Sequence, residues 1–485
     1  MGILAFAILL RFLITCFVTA AGDSYAHLST ARYIAQTWTI PLFEPIYRPF
    51  FYYPPAFHVA TSVMYTLFSA FGERVATKAM DFVAPILGSL MLVVFYRFCR
   101  DNLSKRITLY AVIFLAFIPL HVYYSTLMHV DIAIAFVGML VLHLYQKGRF
   151  YRSAICNGIG MLTKYTHFFI FPPLLVLMVQ RHKGKKGLVK KAAVYFAITL
   201  VIGLPLYIRN FIVFGTPMWP FMNGVFERLG MVPFPYTSDD FPKASLAHFL
   251  DPEFPLKIYL DIFGVPLGLP ENLFSLPVPV YFFVGWFVMT GLFSIPFIVG
   301  LWAKKPRKSV PLLAVWILSY TIMLAYYVYD YGDVYMRLVL PMFPAVAIIW
   351  AHGLDWIHAR MRGRYQTGLM VVLIVFCLVF AGLEIVKARV ASAKYDRLSE
   401  DYRWIRENIP QDARFDRHST YLLYHTNKQV ISTLCGAGSY PDDSLYHYSD
   451  PFVEPGGPQE KYRDWTVVYT NPKTQVKVLK KTPVV

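Results

Sequence analysis

A polar stretch, GDSYAHLSTARYIAQ (22–36), follows directly on an apolar run that begins at Met1. Its Asp23 and His27 stand four residues apart, so a helix puts them on one face. A carboxylate so placed can take a proton from an attacking group. Equally, Asp23 can be an N-cap and His27 a surface residue. Other ionisable residues sit in apolar surroundings: Asp131 in HVDIAIAF (129–136), Lys164 in GIGMLTKYT (158–166), Arg209 in RNFIVFGTPMWP (209–220) and Arg337 in YMRLVLPMFP (335–344). Such a residue marks function by default, while a lysine or arginine near a helix end can also snorkel to the membrane surface. Asp131 can cap its helix, and Asp333 can pair with Arg337 about one turn later.

The elements that must hold these residues are membrane helices. Of the 485 residues, 56% are hydrophobic, 17% aromatic and 15% charged, with a mean hydropathy of +0.46. An average soluble domain is about 25% charged. Windows of about 20 nearly charge-free residues recur along the chain, which defines a polytopic α-helical membrane protein. The net charge of +17 does not point to nucleic acid, because it is concentrated in five short clusters at 97–106, 147–152, 181–191, 304–308 and 358–364. Together these hold 20 of the 46 Lys and Arg against one acid, Asp101. That is the positive-inside bias, and it makes the five loops cytoplasmic. Five cysteines without a CxxC pair imply neither a disulfide framework nor a zinc site. The first apolar segment shows no small-residue cleavage site and reads as a retained span.

Threading spans between the basic loops gives about eleven, near residues 2–20, 78–97, 107–123, 130–146, 153–164, 167–180, 192–208, 278–302, 310–329, 338–357 and 367–386. The fifth and sixth are short and form a hairpin. Residues 21–75 and 209–276 are then outer loops, within a membrane domain 1–386. An odd number of spans with a cytoplasmic N-terminus places 387–485 outside. That tail is polar: DYRWIRENIP reads as a helix stopped by Pro410, and WTVVYT and QVKVLKK read as strands, which makes a small α/β domain. In the first outer loop, FFYYPPAFHVATSVMYTLFSAFG (50–72) starts a second apolar helix with a proline pair, which the first helical turn tolerates. Glu44, Tyr47 and Arg48 lie between the two loop helices. Tyr25, Leu28 and Ile34 suit the first of them to the membrane surface.

An outward first span, a GD-initiated helix with His27, and an aromatic–Pro–Pro helix ending in FG before span 2 resemble the GT-C superfamily of membrane glycosyltransferases. Within it the chain is similar to the protein O-mannosyltransferases and the bacterial lipid A aminoarabinose transferases. The acidic start of span 4, the Gly–Lys pattern of GIGMLTKYT, the RN-led element at 209–220 and YMRLVLPMFP match in the same order. The resemblance covers nearly the whole chain.

It implies an inverting transfer of one sugar from a polyprenyl-phosphate carrier to a glycan, lipid or protein acceptor at the outer face. Inversion needs one base and no enzyme nucleophile, and Asp23 matches the family's first-loop catalytic aspartate. The leaving phosphate calls for cations: Arg337 first, then Lys164, with Arg209 and Arg48 as further candidates. His27, Tyr53, His58, His129, Asp131 and Asp333 would support the site or line the acceptor. Trp219, Phe221, Tyr236 and Phe241 would stack on sugar, cover the site or anchor at the interface. Asp23 and Asp131, with Glu44 and the histidines, would be the ligands of a divalent ion such as Mg or Mn, although no spacing here is diagnostic of one. Two departures stand out. Ser24 follows Asp23 where the aminoarabinose branch has an acidic pair, and Tyr53 precedes the prolines where that branch has a basic residue, which brings Arg48 forward. The rival readings are a lipid-linked-sugar transporter or flippase, or a binding subunit without turnover. The placement is the plasma (inner) membrane, with the site and tail extracytoplasmic.

Overall fold

The computed structural model describes residues 2–17, 24–41, 53–182, 187–219, 223–232, 254, 294–303, 309–327, 332–373 with isolated positions to 382, and then 399–410, 413–416, 429–431, 445–449 and 464–481. Helices dominate, and the chain divides into two compact units. The first comprises Met1–Ile14 and Ala84–Ile385, and the second Thr15–Val83 and Val386–Val485.

In the first unit, α1 (Gly2–Phe17) supplies its N-terminal part. The order continues through α5 (Val83–Asn102), α6 (Lys105–Phe117), α7 (Pro119–Tyr124), α8 (Val130–Gln146), α9 (Phe150–Met161), α10 (Phe171–His182), α11 (Leu188–Phe214), α12 (Asn223–Arg228), α13 (Ser309–Tyr327) and α14 (Phe343–Arg360). Among the described residues, Glu73–Asn102, Leu188–Phe214 and Arg337–Arg360 are long and apolar enough to cross a membrane. α8 falls on the expected 130–146.

Three differences from the expected spans have local causes. The single helix expected over 107–123 is broken: Ile118 is extended at φ −61°, ψ 122° and α7 restarts at Pro119. A residue before proline is pushed out of the helical region, and proline then suits the first helical position. α11 runs on to Phe214, so the start of the expected outer loop is helical, until Gly215 at φ 75° ends it in a left-handed conformation that glycine adopts freely. The helix expected at 338 is preceded by a 3₁₀ segment, Gly332–Met342, with Pro341 inside it. Trp316 of α13 donates its Nε1–H to the Pro341 carbonyl at 2.9 Å and fixes that segment.

The second unit contains α2 (Ser24–Thr37), α3 (Ala56–Phe68) and α4 (Glu73–Asp81) from the first loop, and the tail. α3 begins directly after the Pro54–Pro55 pair. Tyr25, Leu28 and Ile34 of α2 are buried, and so are His27, Ser29 and Thr30, so α2 packs on both faces. The tail places α15 (Ser399–Asn408) against a five-stranded sheet ordered β2-β1-β3-β5-β4. Its strands are β1 (Arg414–Asp416), β2 (Gln429–Ile431), β3 (Leu445–Ser449), β4 (Thr466–Thr470) and β5 (Lys477–Lys480). β1 runs parallel to β2 and β3, whereas β5 is antiparallel to β3 and β4. Tyr402, Ile405, Phe415, Tyr446, Val476 and Val478 form its core, and Ala26 of α2 packs against it. The buried Asp401 accepts from Tyr469 Oη (2.8 Å), Asn471 Nδ2 (2.7 Å) and Thr474 Oγ1 (3.0 Å), which ties the first turn of α15 to the β4–β5 hairpin.

Candidate functional site

Three interruptions of helix in the first unit bring ionisable side chains together. His129 is extended (φ −125°, ψ 138°) and leads into α8, whose first turn carries Asp131. A carboxylate in a first turn is favoured by the helix dipole. Lys164 is extended (φ −162°, ψ 147°) between α9 and a 3₁₀ segment, Tyr165–Ile170. Arg337 projects from the 3₁₀ segment before α14.

The local sequence explains how Lys164 is held. A Cβ at Gly160 would lie 2.2–2.4 Å from the His167 ring, so the space beside this glycine is where the imidazole sits. His167 Nε2 meets Asn157 Oδ1 at 2.9 Å, and the His167 N–H donates to the Lys164 carbonyl at 3.1 Å. The GIGMLTKYT pattern thus builds a tight turn that ends in an inward-facing lysine.

Lys164 Nζ donates to Asp131 Oδ1 at 2.6 Å, and Arg337 Nε stands 3.6 Å from Asp131 Oδ2. The side chains are 12%, 2% and 15% exposed for Lys164, Asp131 and Arg337. Arg337 Nη1 lies 3.4 Å from His129 Nδ1, and the His129 ring sits edge-on to Tyr124 with centroids 5.0 Å apart. Guanidinium only donates, so Nδ1 is the accepting atom of His129 in this contact. Two cations and one carboxylate leave the cluster with one net positive charge. In an apolar protein that arrangement suits an anion. It does not suit a divalent cation at Asp131, because the carboxylate already faces two positive charges. Among the described residues, no group of three or more His, Cys, Asp or Glu could hold one.

The other sequence candidates divide. Arg209 donates to Asn210 Oδ1 at 3.0 Å and lies over the Phe214 ring at 5.7 Å, while Asn210 Nδ2 reaches Tyr165 Oη at 2.6 Å. Trp219 is buried and stacks on Phe214, with centroids 4.6 Å apart, so it packs inside the protein. In the second unit, His27 Nδ1 and His58 Nε2 are 3.0 Å apart, both rings buried, with Tyr53 edge-on to His27 at 5.4 Å. Burial, and then the neighbouring His27 charge, push the His58 pKa well below the ordinary histidine value. Asp23, Glu44, Arg48, Phe221, Tyr236 and Phe241 lie outside the described residues, as does the side chain of Asp333.

Arg11 was not singled out from sequence. It is fully buried in α1 and donates to the carbonyls of Ala7 (2.8 Å) and Ala116 (2.9 Å) and to His121 Nδ1 (2.7 Å). Ala116 is at the end of α6, where the break before Pro119 removes the carbonyl's helical partner. The signal was one arginine inside FAILLRFLITCF.

The chain shares its fold with solved GT-C membrane glycosyltransferases. Residues 53–208 match the family model described as dolichyl-phosphate-mannose-protein mannosyltransferase. ArnT from Cupriavidus metallidurans bound to undecaprenyl phosphate is similar over 98% of this chain and 97% of its own, at 14% identity and a TM-score of 0.64. The Archaeoglobus fulgidus oligosaccharyltransferase AglB, in complex with an inhibitory peptide and a dolichol-phosphate, is similar over 99% of this chain and 74% of its own (14% identity, TM-score 0.56). The arabinofuranosyltransferase AftD from Mycobacteria is similar over 98% of this chain and 39% of its own, at 11% identity and a TM-score of 0.54. A search of curated protein sequences gave no significant match.

Proposed function

We propose that this protein is an inverting glycosyltransferase that moves a monosaccharide from a polyprenyl-phosphate carrier to a glycan, lipid or protein acceptor at the outer face of the plasma membrane. The observation that carries the reading is the convergence of Lys164 and Arg337 on Asp131, a doubly cationic cluster in an apolar helical domain. The undecaprenyl phosphate and dolichol-phosphate bound to two proteins of the same fold support it.

In this reading the acceptor hydroxyl or amine attacks the anomeric carbon as the bond from that carbon to the phosphate oxygen breaks. The phosphate leaves with the electron pair, and the acceptor proton goes to a carboxylate. Asp23 is assigned as that base from its sequence position and family resemblance. Lys164 and Arg337 stabilise the charge that grows on the phosphate, and Asp131 keeps both cations in place. The outward orientation rests on the basic clusters, which belong to the cytoplasmic side.

The test is to reconstitute the protein in lipid with a panel of polyprenyl-phosphate sugars and candidate acceptors, and to follow carrier phosphate release and the anomeric configuration of the product by NMR. Acceptor-dependent release with an inverted anomer is expected. Retention of configuration would overturn the one-carboxylate mechanism.

A further inference from the structure

The charge of the cluster carries a consequence beyond phosphate binding, and it rests on the reading above. The donor is a phosphodiester with one negative charge. The product is a phosphate monoester, whose second pKa near 6 gives it a charge of about −1.5 to −2 at pH 7. A site built only of Lys164 and Arg337 would therefore hold its product more tightly than its substrate. Asp131 alters that balance. Its carboxylate is 2% exposed, lies 2.6 Å from the Lys164 ammonium and 3.6 Å from Arg337 Nε, and lowers the cluster to one net positive charge. His129 faces Arg337 through Nδ1.

We infer that Asp131 is a positioning residue that also weakens the hold of Lys164 and Arg337 on the departing phosphate. It aligns the two cations for the monoanionic donor and shares them with the dianionic product, so that product leaves. Both effects come from one carboxylate, because each of its oxygens faces a different cation. Removing that charge without changing shape would raise the cluster from one to two net positive charges and favour the dianion. A like charge within a few ångströms is worth at least tenfold in affinity at the effective dielectric of partly buried sites.

The experiment measures binding of two probes to the lipid-reconstituted full chain at pH 7.5: undecaprenyl phosphate and its methyl phosphodiester, which differ by one charge. For the wild type, whose cluster keeps one net positive charge, the preference for undecaprenyl phosphate should stay below about thirtyfold. For Asp131→Asn, that preference should rise at least tenfold above the wild-type ratio. Turnover by this variant should show a fall in kcat with little rise in KM. The ratio of affinities is read within one preparation, so it does not depend on how much of a variant folds. The wild-type ratio tests the inference even if the variant fails to fold, because a wild-type preference above about thirtyfold for the dianion overturns it. An unchanged or reversed ratio in Asp131→Asn also overturns it. Lys164→Met separates the two levels of argument. If this variant binds both probes as the wild type does, the phosphate site itself is wrong. If it binds both more weakly while Asp131→Asn does not discriminate, the site stands and the role given to Asp131 fails.

Discussion

Lys164 Nζ and Asp131 Oδ1 meet at 2.6 Å across two helix interruptions, and both side chains are largely withdrawn from solvent. Breaking a buried ion pair at one partner strands the other, at a cost of about 3–5 kcal/mol, whereas removing both costs far less. Asp131→Asn, which strands Lys164 as well as Arg337, should therefore destabilise the protein more than the double variant Lys164→Met/Asp131→Asn does. Thermal unfolding in detergent, arranged as a double-mutant cycle, checks this. Strict additivity would show that the pair is not coupled.

Arg337 reaches Asp131 through Nε and His129 through Nη1. Lysine keeps the charge but cannot make both contacts from one planar group. Arg337→Lys should lower kcat/KM by about tenfold or more, and Arg337→Ala by about 10²–10³, the usual loss for one donor to a developing oxyanion. Equal activity of wild type and Arg337→Lys would reduce the role of this residue to charge alone.

His58 supplies a pH dependence. Its pKa is depressed in the folded protein by burial and by His27, so the fold favours the neutral ring. A depressed value means that the stability contribution is complete above the unfolded histidine pKa of about 6.5 and is lost as pH falls below it. Apparent Tm should drop between pH 7 and pH 5, and His58→Gln should flatten that drop. A wild-type Tm that is constant over this window would show that His58 is not held neutral.

Gly160 gives a steric test of the turn that carries Lys164. A methyl group there would run into the His167 ring. Gly160→Ala should cost about 1–3 kcal/mol by overpacking and should lower activity by displacing the lysine. Full stability and full activity together would show that the turn can relax.

Much of this was legible in sequence because it depends on local pattern. The apolar runs located α8 and α13 within a residue or two, Pro54–Pro55 marked the start of α3, and alternation marked β4 and β5. Asp131, Lys164 and Arg337 could each be picked out as ions in apolar surroundings. Their meeting could not, because it depends on breaks at His129, Lys164 and the 3₁₀ segment before α14, where periodicity carries no information. The sequence offered Asp333 as the neighbour of Arg337, whereas the described carboxylate beside it is Asp131, far away in the chain. Arg11 was hidden for a related reason: averaged over an apolar span, one charge disappears, and its partner carbonyl is exposed only by the break at Pro119.

The central claim is that Lys164 and Arg337 hold the phosphate of a lipid-linked sugar during transfer. The most direct measurement is the release of polyprenyl phosphate from the productive donor by lipid-reconstituted wild type, Lys164→Met, Arg337→Ala and Asp23→Asn. The expected result is release by the wild type, a fall of about 10²–10³ in kcat for each cation variant, and a fall of about 10²–10⁴ for Asp23→Asn with the protein still folded. Release at the wild-type rate by both folded cation variants would contradict it.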